Sequence, residues 1–160
     1  HWGGNWGCRP PSSHVTLAHD LVRAGADVIF GHSAHVCRGI EFFERGLILY
    51  STGDFVDDYA VDAVERNDRS WAFEIHVANR RVGSLHLHPT VIRECHARLA
   101  PQGEAQVMIA GMRELCAQFG TDFTVPASRD RAVIRLHRQA GSQLKPAPPV
   151  ERGHLHGHLG

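Results

Sequence analysis

The segment from Ser13 to Gly31 constrains the fold more than any other part of the chain. Leu17, Ala18, Leu21 and Val22 recur at helical spacing, so residues 13–24 are expected to form an amphipathic helix with a serine N-cap and Gly25 as its stop. Asp27-Val28-Ile29-Phe30-Gly31 follows at once. An apolar run closed by glycine predicts a short buried strand. A helix feeding straight into such a strand is half of a βαβ unit, which places the chain in the α/β class.

The remainder alternates between short strands and one more helix. Residues 39–44 and 47–51 flank Arg45-Gly46 and predict a hairpin, whereas the acidic stretch 57–68 predicts an exposed loop or short helix. Residues 71–77 alternate apolar and polar. After a turn at Asn79-Arg80-Arg81, Leu85, Leu87 and Val91 repeat that alternation. Residues 104–119 carry Val107, Met108, Met112 and Leu115 on one helical face, and Gly120 ends it. Short strands are expected at 123–125 and 132–137. Residues 1–139 thus form one folded unit, about right for a chain of 160 residues. Residues 140–160 are rich in Pro, Gly and His without periodicity, and are expected to be a disordered tail.

Charge and cysteine usage exclude several function classes. Lys plus Arg and Asp plus Glu are both 17, and a net charge of zero carries no nucleic-acid footprint. No apolar run approaches the ~20 residues of a membrane span. Cys8, Cys37, Cys95 and Cys116 form no CxxC pair, so zinc-ribbon and thioredoxin motifs are absent and free thiols are expected. Thirteen histidines stand out instead. The opening His1-Trp2-Gly3-Gly4-Asn5-Trp6-Gly7 reads as a strand end entering a Gly-rich loop, so the chain is expected to be a fragment of a longer protein. Its compartment, cell envelope or cytoplasm, stays open.

Gly31-His32-Ser33-Ala34-His35 is the strongest chemical signal. Residues at the carboxyl end of a buried strand lie where ligands bind in open α/β sheets, and two imidazoles there can converge on one cation. Two backbone-bonded loop histidines are the bland alternative. His1, beside Gly3-Gly4, repeats the pattern at what would be a neighbouring strand end, so His1, His32 and His35 are the candidate metal ligands. Asp54 is a further candidate, either as a ligand or as the acceptor that fixes a ring tautomer. Asp57 and Asp58 invite a general-acid or metal reading as well, since carboxylates can bridge two cations, but solvated acids beyond a Gly-Asp turn are the favoured reading. His76, His86 and His88 fall on the polar faces of two adjacent strands, either as a cross-strand cation site or as a solvated face. His14 and His19 read as surface residues, and Trp2 and Trp6 as substrate-stacking or loop-packing aromatics.

The blocks His1-Trp2-Gly3, Leu17-Ala18-His19, Gly25-Ala26-Asp27-Val28-Ile29, Gly31-His32-Ser33-Ala34-His35-Val36, Gly39-Ile40-Glu41 and Leu47-Ile48-Leu49-Tyr50-Ser51-Thr52-Gly53-Asp54-Phe55 occur in that order. In this the sequence resembles the capsule-synthesis CapA (poly-γ-glutamate, PGA_cap) family of the calcineurin-like metallophosphoesterase superfamily. The resemblance covers residues 1–59 and is weaker beyond. It implies the C-terminal part of a layered metallophosphoesterase-like α/β sandwich, with divalent metal ions (Mn, Zn or Fe) at strand ends. By that resemblance His1, His32 and His35 match the last metal-binding blocks, while the earlier Asp-rich strand and Asn-His pair have no counterpart. Asn5 stands where family members often carry Glu, Asp54 where Asn is common, and two residues rather than one separate the paired histidines.

The implied function is a capsule or poly-γ-glutamate synthesis protein, a metal-dependent hydrolase in its full-length form, acting on a capsule polymer or γ-glutamyl substrate. The alternative is a non-catalytic partner in polymer assembly or export. A copper enzyme built on an N-terminal histidine is disfavoured by the helix-plus-strand pattern of residues 13–30. The catalytic residues are not legible, and residues 1–160 alone are expected to be inactive or nearly so. Limited proteolysis should remove residues 141–160 first, leaving the melting transition of the core unchanged.

Overall fold

The computed structural model describes residues 1–126 and the backbone of 134–137. The tail expected at 140–160 lies outside these residues. The elements run α1 (Ser12–Ala24), β1 (Val28–Phe30), β2 (Ile40–Phe43), β3 (Gly46–Leu49), β4 (Arg69–Ala78), β5 (Arg81–Arg93), β6 (His96–Leu99), α2 (Gln102–Ala117), β7 (Phe123–Thr124) and β8 (Ile134–His137). This is an α/β fold with two sheets. The first has the order β1-β3-β2, and the second β4-β5-β8-β7 with β6 also on β5.

α1 begins one residue earlier than its pattern suggested. Pro11, not a serine, occupies the N-cap position and supplies no side-chain cap. Gly25 closes the helix at φ 122°, and its N–H donates to the Leu21 and Val22 carbonyls. β1 then pairs parallel with β3, in register Val28 to Leu47 and Phe30 to Leu49. The burial expected of β1 is not observed: Val28 is 36% and Phe30 56% exposed, because β1 is an edge strand whose described neighbour is β3.

β3 is buried on every residue. Its period of two sends Leu47 and Leu49 one way and Ile48 the other, with Tyr50 continuing the second row. Leu47 and Leu49 join Ile40, Trp71, Leu85, Leu87, Val91, Met108, Met112 and Cys116 in the main core, between the two sheets and α2. Ile48 and Tyr50 pack with Ala18 and Val22 of α1. The first sheet is therefore covered by a helix on one face and by the second sheet on the other. No helix among the described residues is long and apolar enough to cross a membrane.

Tight turns build the second sheet. Asn79 and Arg80, both at positive φ, join β4 to β5, and Glu94 and Cys95, also both at positive φ, join β5 to β6. That conformation matches the twist of two-residue hairpins. β6 has no counterpart in the sequence reading, because Glu-Cys carries none of the usual turn chemistry. Cys37 and Cys116 are buried and Cys8 and Cys95 exposed, all as free thiols.

A charged cluster ties α2 to the second sheet. Glu104, in the first turn of α2, accepts from Arg66 at 3.0 Å, Arg69 at 3.1 Å and Arg93 at 2.9 Å. Burial pushes its carboxyl up, but the Arg69 and Arg66 hydrogen bonds and the charge of Arg93 outweigh that and hold it below the ordinary 4.5. A folded-state value below the unfolded one means the stabilisation is complete above pH 4.5 and fades as the pH falls below it. Replacement Glu104→Gln should cost about 1–2 kcal/mol in chemical denaturation at pH 7, given half-exposed arginine partners. That difference from the parent chain should shrink on acidification.

Candidate metal centre at the carboxyl ends of β1 and β3

Parallel strands end on the same edge of a sheet, so whatever follows β1 meets whatever follows β3. The ladder runs past the strands themselves: Gly31 N–H donates to Leu49 O at 2.7 Å, and Thr52 N–H to Gly31 O at 3.1 Å. Residues 32–35 and 53–57 emerge side by side from that point. Gly31 is required there for space rather than for a turn. A Cβ would sit 2.6 Å from Tyr50 O and 2.7 Å from Trp2 Nε1.

Residues 1–7 form no strand, contrary to the strand end expected at His1-Trp2-Gly3. They are an irregular loop sewn onto residues 32–38. Trp2 N–H donates to His32 O at 3.1 Å, His35 N–H to Asn5 O at 2.8 Å, and Ser33 Oγ to Gly3 O at 3.0 Å. Arg38, 2% exposed, donates Nε to Gly7 O and Nη2 to the Gly4 and Trp6 carbonyls. Five guanidinium N–H groups suit a side chain that must satisfy a loop's carbonyls from beneath. Trp2 is anchored through Nε1 to Tyr50 O at 2.8 Å and stacks on His14, so it packs the loop.

This sewing brings His1 and His32 together, ring centroids 5.1 Å apart. His35 lies with the carboxylates instead. Its Nδ1 is 2.9 and 3.0 Å from the two Asp54 oxygens. His35, Asp54 and Asp57 each offer a donor atom within 4.8 Å of the others. Ser33, between the histidines, sits at φ 123°, a conformation that L-residues adopt only under constraint.

Asp57 is a partner in this cluster and not a solvated acid. Its Oδ2 is buried without a hydrogen-bond partner, beside a second carboxylate. A buried, unsatisfied carboxylate oxygen costs free energy unless a proton or cation meets it. Two carboxylates and an imidazole are donors suited to Mn, Zn or Fe, so the residues present fit such an ion. Trp6, 46% exposed, tilts against the His35 ring at 5.3 Å, and Tyr59, 62% exposed, meets it edge-on at 5.2 Å. Arg38 and Tyr59 carry no signal in the sequence. For Asp57, the i, i+3 spacing from Asp54 just past a strand is the signal that favours the metal reading over the solvated one.

His19 is another departure from the surface role expected of it. Its Nε2 lies 3.0 Å from the Glu41 carboxylate, which also accepts from Tyr50 Oη at 2.6 Å, and its ring stacks on Phe43. Burial pushes the Cys37 thiol up to about 12, which removes it as a nucleophile.

Burial first, then the hydrogen bond with Asp57, push Asp54 up to about 6 against the pull of His35. A carboxyl raised in the folded state stabilises the protonated fold. The cation-free chain should therefore lose stability as pH rises from the ordinary 3.8 towards 6. Melting temperatures across that interval should show the slope, and Asp54→Asn should flatten it.

Residues 1–59 match the family described as bacterial capsule synthesis protein PGA_cap. A probable polyglutamine synthesis accessory protein of Mycobacterium tuberculosis (strain H37Rv) is 49% identical over 59 residues, 37% of this chain and 16% of that protein. The capsule biosynthesis protein CapA of Bacillus anthracis is 33% identical over 94 residues, 59% of this chain and 22% of its own length. The PGA biosynthesis protein CapA of Bacillus subtilis (strain 168) is also 33% identical over 94 residues, 24% of its length. The chain thus spans less than a quarter of each of these relatives. Residues 1–59, which carry His1, His32, His35, Asp54 and Asp57, are thus the part of the chain that is similar to the bacterial capsule synthesis PGA_cap family.

Proposed function

We propose that this chain supplies part of a divalent-cation site to a CapA-like protein of capsule or poly-γ-glutamate synthesis, and that the whole protein is a hydrolase acting on its polymer or a γ-glutamyl substrate. The convergence of His35, Asp54 and Asp57 around an unsatisfied carboxylate oxygen carries the reading. The names of the relatives supply the biological setting. His35, Asp54 and Asp57 would hold the ion, with the His1–His32 pair as further imidazole donors for it or for a second one.

A cation bound there would supply Lewis acidity towards a carbonyl or phosphoryl oxygen. The chain's own groups do the rest. Asp54 accepts from His35 Nδ1 and so sets the ring's tautomer and orientation. An ion shared by His35, Asp54 and Asp57 would take the place of that hydrogen bond at Nδ1, which leaves Nε2 as the nitrogen free to move a proton. Trp6 and Tyr59 flank the ring. Gly53 and Phe55, the chain neighbours of Asp54, line an open apolar cleft of about 290 Å³ with Phe30, Thr52, Trp71 and Phe73. That rim would grip an extended substrate along its aliphatic portions and keep water from the polar cluster.

The same exposed rim supports a second reading, in which the protein binds polymer during assembly or export without cleaving it. The two readings part on metal-dependent bond cleavage. In the full-length protein, Mn2+ or Zn2+ should support release of product from a γ-glutamyl polymer, and His35→Ala should reduce it by about 100-fold. Retained polymer binding with no cleavage at any divalent ion would favour the assembly role. For the present chain, Mn2+ should raise the melting temperature at pH 7, and Asp54→Asn or Asp57→Asn should abolish the rise. A rise that survives both substitutions would remove this cluster from consideration.

A further inference from the structure

The outward face of the β4–β5 pair carries a second donor cluster, separate from the site above and independent of its reading. Glu74 stands opposite His86, His76 opposite Ser84, and Ala72 opposite His88. The period of two therefore puts Glu74, His76, His86 and His88 on one face, while Phe73, Ile75, Leu85 and Leu87 line the other and meet the core. Glu74 Oε1 is 3.1 Å from His76 Nε2. Its Oε2 is 3.0 Å from His88 Nε2 and 3.7 Å from His86 Nδ1. The His76 and His86 rings lie 4.1 Å apart, centroid to centroid. Glu74, His76 and His86 each offer one donor atom within 4.8 Å of the others.

An ordinary solvated sheet face places an acid opposite a base and stops there. Here three imidazoles surround one carboxylate, and imidazole nitrogens gathered with a carboxylate oxygen are a ligand set for a cation. Two nitrogens and one oxygen suit the borderline divalent ions, Zn2+ above all, rather than Mg2+ or Ca2+, which prefer oxygen alone. The His88 contact is of the kind that orients a ligating carboxylate from behind. Arg135 stands opposite His86 in the register on β8, on the side away from Glu74.

We propose that Glu74, His76 and His86 form an exchangeable Zn2+ site clipping β4 to β5 on the exposed face of the second sheet, with His88 positioning the carboxylate. Three protein donors leave a fourth position open to water or to a donor from another molecule. Exposure of Glu74 and His76 makes the site accessible to ions in solution.

The test is a Zn2+ titration of the full 160-residue chain, with the tail donors removed by His154→Ala, His156→Ala and His158→Ala. Imidazole 15N resonances are followed by NMR. Saturating Zn2+ should move the ring nitrogens of His76 and His86 to metal-bound positions, in the parent and equally in an Asp54→Asn background. Glu74→Gln should weaken that response by at least about tenfold, and His88→Ala by about tenfold. Circular dichroism checks that each variant keeps its sheet. His76 and His86 resonances that stay silent at saturating Zn2+ overturn the proposal, as does a response unaltered by Glu74→Gln. A response confined to His35 would likewise overturn it while leaving the first site standing.

Discussion

β3 is buried on both faces, and the rest of the structure leans on that fact. A strand of four residues cannot stabilise itself, yet Leu47 and Leu49 enter one core while Ile48 and Tyr50 enter another. Each fully buried side chain of this kind contributes roughly 1.5–3 kcal/mol of transfer free energy. The same strand pairs with β1 and β2 and offers Leu49 O and Tyr50 O to Gly31 and Trp2. Packing, strand order and the anchoring of the site loops are one arrangement.

From that anchor the site follows by short steps. Parallel pairing of β1 with β3 puts His35 beside Asp54, and no side chain at Gly31 could be tolerated between Trp2 and the Leu49–Tyr50 backbone. Arg38 then ties the first loop down from below, which sets His1 against His32. Arg38 satisfies loop carbonyls through Nε and Nη2 but keeps Nη1 buried without a partner, as Asp57 keeps its Oδ2.

The two donor clusters differ in how the fold makes them. His35, Asp54 and Asp57 come from two loops and depend on the parallel strands beneath them. Glu74, His76 and His86 come from two strands and depend only on antiparallel register. A one-residue slip between β4 and β5 would send the histidines to the core side and Leu85 and Leu87 outward. The apolar face therefore enforces the polar one.

The α/β class, both helices, the 39–51 hairpin and the β4–β5 alternation were readable because amphipathic periodicity is a local record of which side of an element is buried. His32, His35 and Asp54 were readable because residues after strands lie at sheet edges. Tertiary structure alone decided which parallel neighbour β1 has, and it is β3 rather than residues 1–3. It alone exposed β1, whose apolar run has the pattern of a buried strand but lies at an edge. It also turned Glu94-Cys95 into a hairpin against their own backbone preference, because pairing along β5 and β6 outweighs the strain of two positive φ angles. Asp57, Arg38 and His19 took their roles from partners 3 to 34 positions away. A sequence names the donors available, but burial and distance, which are properties of the whole fold, determine which of them meet.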